Sequence, residues 1–246
     1  MSIFVEPRIR QQGDRCLIID LGDRIDDQVG LRCLALAQKI RELAIDGVLD
    51  IVPSFIAVAV YYEPTRNLGS DPAQSLQQLI LQLLEQLGDE TLNASETLQT
   101  RSVVIPLCYG GIHGPDLDEL AQHMGLPPED VIRAHHAQPL RVYMLGFAPG
   151  HPYIGIHDER FAIARRDIPR TAVPAGSLGI ANRQSTIYPN RLPGGWHIIG
   201  ATPLRLFNPA STSPTLLRPG DMVRFEPISV ERFEQIRAEQ DGLNES

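Results

Sequence analysis

The sequence predicts an α+β protein in which a small N-terminal α+β domain precedes a domain of short β-strands. Two amphipathic helical patterns lie within roughly the first 90 residues. From Gly146 to Pro227 helical periodicity nearly vanishes, and apolar runs punctuated by Pro and Gly are typical of a barrel or sandwich. The polar segment Asp89 to Thr100 is interpreted as a linker. We expect domains at residues 1–92 and 101–228, followed by a C-terminal helix and tail at 229–246.

The first domain begins with a predicted strand from Arg15 to Asp20. Asp26 stands in an N-cap position before an apolar stripe at helical spacing, which predicts a helix from Val29 to Ala44. Gly47 is a suitable C-terminal stop for that helix. Because the stripe covers one face only, we expect the helix to pack on a neighbouring element.

Two β-branched and aromatic runs follow, Val48 to Val52 and Phe55 to Tyr62, which predict two strands or one bent strand. Asp71-Pro72 then supplies an N-cap and a proline at the first helical position. The leucine-rich stripe after it predicts a second helix that ends at Gly88. The resulting β-α-β-β-α order is an α+β domain in its own right.

The second domain opens with mixed elements before it becomes rich in strands. Arg218-Pro219-Gly220-Asp221 predicts a tight turn into the last strand. The predicted elements are strands at Ser102 to Tyr109, Leu140 to Leu145 and Met222 to Glu226, with helices at Asp116 to Met124, Pro128 to His136 and Val230 to Gln240.

Composition excludes several classes of function. A hydrophobic content of 43% with 21% charged residues is ordinary for a folded soluble protein. The net charge of -8 argues against nucleic acid as a partner, because such binding depends on clustered Lys and Arg. Neither a signal-peptide core nor a run of roughly 20 apolar residues is present, so we expect no membrane association and a cytoplasmic location. Cys16, Cys33 and Cys108 are expected to be buried thiols.

The lysine and histidine content limits the chemistry further. Lys39 is the single lysine and lies in a predicted helix, so the sequence has neither a Gly-Lys-Ser/Thr phosphate loop nor a plausible biotinylated lysine. A bound anion must then be held by arginine, backbone N–H groups or a partner protein. The histidines show no metal-binding spacing, so no metal site is predicted. His135 and His136 are expected to form a solvated pair at a helix end.

The Gly- and Pro-rich block from Val173 to Gly200 is the densest feature of the sequence. Glycine and proline are compatible with simple barrel turns. The polar residues of the block fall on predicted loops, and loops on a rigid barrel frequently carry binding groups. Barrel architecture and a site for a small polar ligand therefore both stay open. The polar residues are Ser177, Asn182, Arg183, Gln184, Ser185, Thr186 and Tyr188.

Other candidate motifs have simpler explanations. In Leu145 to Gly155, Phe147 and Tyr153 either line a pocket or fasten a loop to the core. Tyr109 to Leu120 is better explained by helix initiation at Pro115-Asp116 than by a phosphate loop. Ser177 lacks the strand–elbow–helix setting of a hydrolase nucleophile. The carboxylates are interpreted as helix-start residues (Asp116, Asp118, Glu119) or as a solvated turn (Asp158, Glu159).

A series of longer motifs stands in a fixed order along the chain. They are GGxxGPDL (Gly110 to Leu117), LGFxPGxPY (Leu145 to Tyr153), VPAGSxGIA (Val173 to Ala181), QxxIYP (Gln184 to Pro189), PGGWxxIGxTP (Pro193 to Pro203) and LLRPGDMVRF (Leu216 to Phe225). In this order and spacing they resemble the family of 5-oxoprolinase B subunits, also called the KipI or allophanate hydrolase subunit 1 family. Less distinctive N-terminal segments extend the resemblance over nearly the whole chain.

The resemblance implies a C-terminal cyclophilin-like β-barrel and a non-autonomous component of an enzyme. It implies an ATP-hydrolysing 5-oxoprolinase that opens the ring of 5-oxo-L-proline to L-glutamate, with a KipA-like protein and a LamB/YcsF-type protein as partners. ATP is expected to bind in the complex, at or across the junction with a partner. Two alternatives stay open: a regulator that inhibits a histidine kinase, and a component of a urea- or allophanate-processing carboxyltransferase-type enzyme.

The substrate of that family is a planar lactam with a carboxylate, so its site needs a cation and an amide-like donor. Arg170 and Gln184 fit these types and are predicted to be catalytic, with arginine holding phosphate charge once the lactam oxygen is phosphorylated. The chain departs from the family pattern at His151 (usually Phe), Asn182 (usually Gly) and Ser185-Thr186 (usually Thr-Gly). The predicted substrate-binding residues are Phe147, Pro149, Tyr153, Ser177, Tyr188 and Trp196.

Overall fold

The computed structural model of the chain describes residues 6–64, 71–93 and 100–242. The chain divides into two compact units, Met1–Gln99 and Thr100–Ser246. Each unit has its own cluster of buried apolar side chains. The first unit mixes helices with a sheet and the second contains a closed barrel, so the predicted α+β class with a β-barrel is confirmed.

The N-terminal unit is a four-stranded antiparallel sheet with two helices. Its elements are β1 (Arg8–Gln11), β2 (Cys16–Asp20), α1 (Asp27–Glu42), β3 (Val48–Pro53), β4 (Ala57–Tyr62) and α2 (Pro72–Asn93). The strand order is β1-β2-β4-β3. The buried stripe of α1 packs on β3 and β4, as its amphipathic pattern predicts.

Both predicted helix starts in this unit are confirmed. The Gln28 N–H donates to Asp26 Oδ1 at 2.9 Å, and the Gln74 N–H donates to Asp71 Oδ1 at 3.1 Å. The predicted end of α2 at Gly88 is wrong, because the helix continues to Asn93 and includes the start of the expected linker. A glycine inside a helix costs about 1 kcal/mol relative to alanine, which is too little to end a helix by itself.

Strand β1 has no counterpart among the sequence-based predictions. Its residues are mostly polar, because it lies at the edge of the sheet and pairs only with β2. Arg10 Nε donates to Asp20 Oδ2 at 2.9 Å across this pair of strands. An edge strand held by polar contacts lacks the alternating apolar pattern on which strand prediction depends.

The C-terminal unit follows in the order β5 (Ser102–Tyr109), α3 (Leu117–Met124), α4 (Pro128–His136), β6 (Leu140–Leu145), β7 (Pro152–Gly155), β8 (Arg170–Val173), β9 (Ser177–Ala181), β10 (Gln184–Ile187), β11 (Leu192–Gly194), β12 (His197–Ala201), β13 (Met222–Pro227) and α5 (Val230–Gly242). The barrel closes in the order β10-β7-β6-β13-β5-β12-β9, while β8 and β11 form a separate two-stranded sheet. Closure leaves the barrel strands without free edges.

Side chains fill the barrel, so its interior is a packed core and not a channel. Ile105, Val142, Ile154, Ile180 and Phe225 are among the buried residues. Helix α3 packs against β12, α4 against β13, and α5 against β5. Within the described residues no helix is both long and apolar enough to cross a membrane. The three cysteines are free and buried, as expected.

Candidate functional site

One end of the barrel gathers four connecting segments. Strand β9 starts beside the end of β10, since Leu178 pairs with Ile187. Strand β7 also starts at this end, and β6 and β12 end there. We call it the motif end, because the Gly- and Pro-rich motifs lie in its connections. These connections are residues 146–151, 174–176, 188–191 and 202–207.

The outer face of β7, β10 and β9 carries several of the predicted site residues. Ile154, Ile180 and Ile187 point into the barrel core. Because side chains alternate along a strand, Tyr153 and Thr186 lie on the opposite, outer face. Gln184, Thr186 and Tyr188 follow one another at two-residue spacing, and Ser177 starts the adjacent strand on the same face.

Two glycines leave room for aromatic residues of the site: Gly179 lies on this face and Gly194 lies on β11. A Cβ at Gly179 would lie 2.7 Å from Trp196 Cβ, and a Cβ at Gly194 would lie 2.1 Å from Tyr188 Oη. Any side chain at either position would displace the ring beside it. The glycines of the Val173 to Gly200 block therefore serve ring packing as well as turns.

An aromatic cluster surrounds His151 at the motif end. The His151 ring centre lies 5.3 Å from the ring centres of Phe147, Tyr153 and Tyr188. The Tyr153 and Trp196 ring centres are 6.0 Å apart. The structure thus brings three of the predicted substrate-binding residues together around a histidine that was not among them, and Tyr153 connects a fourth, Trp196, to this cluster.

His151 and Thr186, which both depart from the family pattern, contact each other. Thr186 Oγ1 donates to the Pro152 carbonyl oxygen at 2.7 Å. The same oxygen lies 3.1 Å from His151 Nδ1 and 3.2 Å from Nε2, so it can accept a hydrogen bond from the ring. Burial lowers the pKa of His151 to about 4, so the ring is neutral at neutral pH.

The predicted substrate-binding residues differ in their access to solvent. Phe147 is 66% exposed, Pro149 is exposed and Tyr153 is half-buried. Ser177, Tyr188 and Trp196 are buried, so a ligand reaches them only if the segments that cover them move.

The expectation that the polar residues of the block lie on loops is wrong for most of them. Ser177 starts β9, and Gln184, Ser185 and Thr186 form β10, all of them buried. Asn182 and Arg183 alone make the tight turn between these strands. Both adopt positive φ, as a two-residue hairpin turn requires. Polar side chains on buried strands hide the apolar alternation by which strands are recognised.

Arg170 and Gln184, the predicted catalytic residues, occupy different elements. Arg170 starts β8 in the two-stranded sheet, and Gln184 starts β10 in the barrel. Gln184 lies at the end of β10 that is remote from Tyr188, beside the Asn182–Arg183 turn. A strand rises about 3.3 Å per residue, so some 13 Å of backbone separate Gln184 from Tyr188.

Asp116 is the partner of Arg170 and a residue that sequence reasoning missed. Arg170 Nη1 donates to Asp116 Oδ2 at 2.8 Å, and Nη2 donates to Oδ1 at 2.6 Å. The Ile198 N–H donates to the same carboxylate at 2.6 Å. Asp116 occupies the N-cap position of α3, but its side chain makes no capping hydrogen bond. Its predicted position at the start of a helix is confirmed, but its side chain serves the ion pair and not a helix cap.

The ion pair extends to a second arginine. Arg166 Nη1 donates to Asp116 Oδ1 at 3.2 Å and to Glu119 Oε2 at 2.9 Å. Burial by itself would raise the pKa of Asp116, but the hydrogen bonds from Arg170 and the Ile198 N–H, with the nearby Arg166 charge, hold that pKa below its ordinary value. Asp116 is thus ionised at neutral pH and pairs with both arginines, while Glu119 supplies a second negative charge beside Arg166.

A buried polar network lies inside the barrel, on the other face of β10. Tyr109 Oη lies 2.8 Å from His135 Nδ1, and His135 Nε2 lies 3.0 Å from Ser185 Oγ. His157 Nε2 lies 2.6 Å from the same hydroxyl oxygen. Because a serine hydroxyl has one proton, one histidine accepts from Ser185 and the other donates to it.

The predicted solvated pair at the end of α4 is wrong for His135, which is buried. Burial and the neighbouring His157 and His136 lower the pKa of His135 well below its ordinary value. Burial, helped by the Arg183 charge, lowers the pKa of His157 to about 4. Both rings are neutral at neutral pH, and Ser185, at 0% exposure, is not accessible as a nucleophile. Among the described residues, no group of His, Cys, Asp or Glu could hold a metal ion.

Comparison with known proteins decides the family. The family described as carboxyltransferase domain, subdomain C and D, matches residues 7–217. The B subunit of 5-oxoprolinase from Bacillus subtilis (strain 168) is 39% identical over 96% of this chain and 98% of that protein. This chain belongs to the family of 5-oxoprolinase B subunits. Another member, the B subunit of 5-oxoprolinase from Escherichia coli O157:H7, is 36% identical over 87% of this chain and 93% of its own length.

Solved structures share the fold of this member of the 5-oxoprolinase family. The crystal structure of TTHA0988 is 32% identical with a TM-score of 0.73, and the match covers 87% of this chain and 40% of that chain. Urea amidolyase of K. lactis is 18% identical with a TM-score of 0.73, over 98% of this chain and 16% of that chain. At that identity the second likeness shows the fold alone.

Proposed function

We propose that this chain is a non-autonomous subunit of an ATP-hydrolysing 5-oxoprolinase, which opens 5-oxo-L-proline to L-glutamate. The observation that carries the proposal is 39% identity, over nearly its full length, to a protein named as the B subunit of 5-oxoprolinase. The proposed partners are a KipA-like protein and a LamB/YcsF-type protein. The shared barrel of a urea-processing enzyme is compatible with the fold but does not favour urea as the substrate.

The chemistry of the reaction explains why partners are needed. A lactam is poorly reactive toward water, and phosphorylation of its oxygen by ATP activates the ring carbon for attack. The phosphates need cations or backbone N–H groups. Lys39, the single lysine, lies on α1 and pairs with Glu42 at 2.8 Å. In the proposal ATP therefore binds in the complex, at or across the junction with a partner.

The proposal keeps Arg170 and Gln184 as predicted catalytic residues. Two of the five N–H donors of Arg170 bind Asp116, which fixes the orientation of the guanidinium and leaves other donors for a substrate carboxylate or phosphate. Gln184 is buried, so its contact with a lactam requires the covering segment to move. Changing either residue to alanine is expected to lower turnover in the assembled complex. Full activity in both variants would remove them from the mechanism.

The test of the function is co-purification of the chain with both partner proteins, followed by measurement of ADP release. We expect release that depends on 5-oxo-L-proline and on the presence of all three proteins. A complete complex without such release, together with inhibition of a histidine kinase's autophosphorylation by this chain, would favour the regulatory alternative. Turnover that depends on urea or allophanate instead would favour the carboxyltransferase-type alternative.

A further inference from the structure

A cleft of about 500 Å³ opens at the motif end, beside α5. Cavities of this size are typical of small-molecule sites. The residues of the aromatic cluster do not line it. Three motif loops and one face of α5 form its walls, through Pro174–Gly176, Pro189-Asn190, Thr202–Arg205, Phe233, Arg237 and Gln240.

The loop side of the cleft is held by backbone hydrogen bonds. The Gly176 N–H donates to the Tyr188 carbonyl at 2.7 Å, and the Thr202 N–H donates to the Gly176 carbonyl at 2.9 Å. Gly176 has a φ of +82°, and a Cβ there would lie 2.4 Å from the Thr202 carbonyl oxygen. Three motif loops therefore cross at Gly176 in a fixed arrangement, and a preformed wall lowers the cost of ordering a ligand site.

Side-chain contacts hold the helix side of the cleft in place. Phe233 is buried against Cys108 and Ala201. Gln240 Oε1 accepts a hydrogen bond from the Arg205 N–H at 3.0 Å, which ties the last turns of α5 to the loop after β12. Phe233, Arg237 and Gln240 follow the spacing of one helix face, so Arg237 is presented to the cleft between two anchored positions.

The charge of the cleft is opposite to that of the protein. Arg205 and Arg237 line it, and among the residues that the structure describes its lining contains no acidic side chain, although the chain has a net charge of -8. The glutamates of α5, Glu231, Glu234 and Glu239, fall on other positions of the helix and do not line the cleft. Arg205 Nε donates to the Phe207 carbonyl at 3.1 Å, which helps to orient this guanidinium. Guanidinium groups bind carboxylates and phosphates through charge-assisted hydrogen bonds.

We propose that this cleft binds a small-molecule oxyanion, either a carboxylate or a phosphate, through Arg237 and Arg205. Asn190 and Thr202 supply further polar groups, and Pro174, Pro189 and Phe233 supply apolar surface for the organic part of the ligand. The inference goes beyond the proposed function, because it requires only that the chain bind an anion and not that the complex open a lactam.

The experiment is calorimetric titration of the full chain, alone and in the assembled complex, with three separate probes. The probes are inorganic phosphate, ATP and 5-oxo-L-proline. We expect saturable binding of at least one probe, weakened tenfold or more by Arg237→Gln and by Arg205→Gln. Arg232→Gln is the matched control, because Arg232 lies on the same helix, is exposed and does not line the cleft. This control is expected to bind like the parent chain.

The probes distinguish the two sources of oxyanion. Binding of 5-oxo-L-proline alone identifies a carboxylate site, whereas binding of ATP and inorganic phosphate identifies a phosphate site. Equal affinity in the parent chain and Arg237→Gln overturns the proposal, as does the absence of binding for every probe in both preparations. Loss of co-purification with a partner as the sole effect of Arg237→Gln also overturns it, because the cleft then docks a protein surface. Since binding is measured without turnover, failure of the 5-oxoprolinase assay leaves this result intact.

Discussion

Arg170 donates two hydrogen bonds to the carboxylate of Asp116, at 2.8 and 2.6 Å, although Asp116 lies 54 positions earlier in the chain. Asp116 also accepts the Ile198 N–H, so one buried carboxylate joins β8, the start of α3 and β12. Strand β8 lies outside the closed barrel. The ion pair is therefore one attachment of the two-stranded sheet that begins with a predicted catalytic residue.

Replacing this carboxylate tests how much the ion pair contributes to the stability of the fold. Asp116→Asn removes the carboxylate charge that pairs with Arg170, whereas Arg166 keeps its hydrogen bond to Glu119. Breaking a buried pair costs several kcal/mol, but Arg170 is 29% exposed and solvent screens part of that loss. We expect the free energy of unfolding to fall by about 2 kcal/mol, measured by urea denaturation.

Asp118→Asn is the matched control for this variant. Asp118 lies in the first turn of the same helix but is exposed, so its loss is expected to cost less than about 0.5 kcal/mol through the helix dipole. Equal stability of the Asp116 and Asp118 variants would show that the ion pair contributes nothing beyond a surface charge.

Local sequence patterns were sufficient to predict six of the twelve elements named above for the C-terminal unit. The bounds of β5, α4 and β6 are those that the sequence predicts, because β5 and β6 are apolar runs and α4 begins with a proline followed by acidic residues. Strand β1 and the extension of α2 were missed for lack of such a pattern. A polar edge strand carries no apolar alternation, and an interior glycine is a weak stop signal.

Contacts of the site were less predictable, because barrel closure brings distant residues together. The position of Asp116 before a helix offered a sufficient local explanation, while its partner Arg170 lies far along the chain. His135 likewise stands at a helix end, and only closure places Ser185 3.0 Å from it. The clustering of Phe147, Tyr153, Tyr188 and Trp196 follows from family motifs and not from their spacing.

The buried histidines predict a loss of stability on mild acidification. Burial lowers the pKa of His151 and of His157 to about 4 and lowers the pKa of His135 well below its ordinary value. The unfolded chain therefore binds protons first, near the ordinary histidine pKa of about 6.5. Stability is complete above that pH and falls as the pH decreases toward 4, by up to about 1.4 kcal/mol per pH unit for each histidine.

Urea denaturation between pH 7.5 and 5.5 measures this loss. His157→Phe is expected to reduce the slope of unfolding free energy against pH by the contribution of one histidine. In this variant His135 can still form a hydrogen bond with Ser185 after a change of tautomer. Thr171→Val, a change at an exposed position that removes no titratable group, serves as control and is expected to leave the slope unaltered. A parent chain whose stability is flat over this range would contradict the neutral buried network.

The contact between His151 and Thr186 predicts energetic coupling. Thr186→Val leaves the His151 ring and the Pro152 carbonyl without the hydroxyl, at a cost of about 1–3 kcal/mol. His151→Phe leaves Thr186 still bonded to Pro152, so it is expected to cost less than about 1 kcal/mol.

A double-mutant cycle measures this coupling by urea denaturation. The double variant is expected to lose less than the sum of the single losses, by about 0.5 kcal/mol or more. Pairing His151→Phe with Thr171→Val, at an exposed position on β8, gives the control cycle, which should be additive. Additivity in both cycles would mean that the close approach of Thr186 to the ring contributes no interaction energy.

Gly176 is a position where an added methyl group is expected to be poorly tolerated. Alanine there must adopt a φ of +82° and place its Cβ 2.4 Å from the Thr202 carbonyl oxygen, which is backbone and cannot rotate away. We expect Gly176→Ala to lower the free energy of unfolding by more than about 2 kcal/mol, since strain and steric overlap add.

Gly125→Ala separates the two causes, because Gly125 has a φ of +64° and nothing within 4 Å of the new Cβ. Its cost is expected to be about 1 kcal/mol from backbone strain alone. Similar losses of stability in the two variants would show that the loops crossing at Gly176 move apart easily. The wall of the cleft beside α5 would then not be preformed.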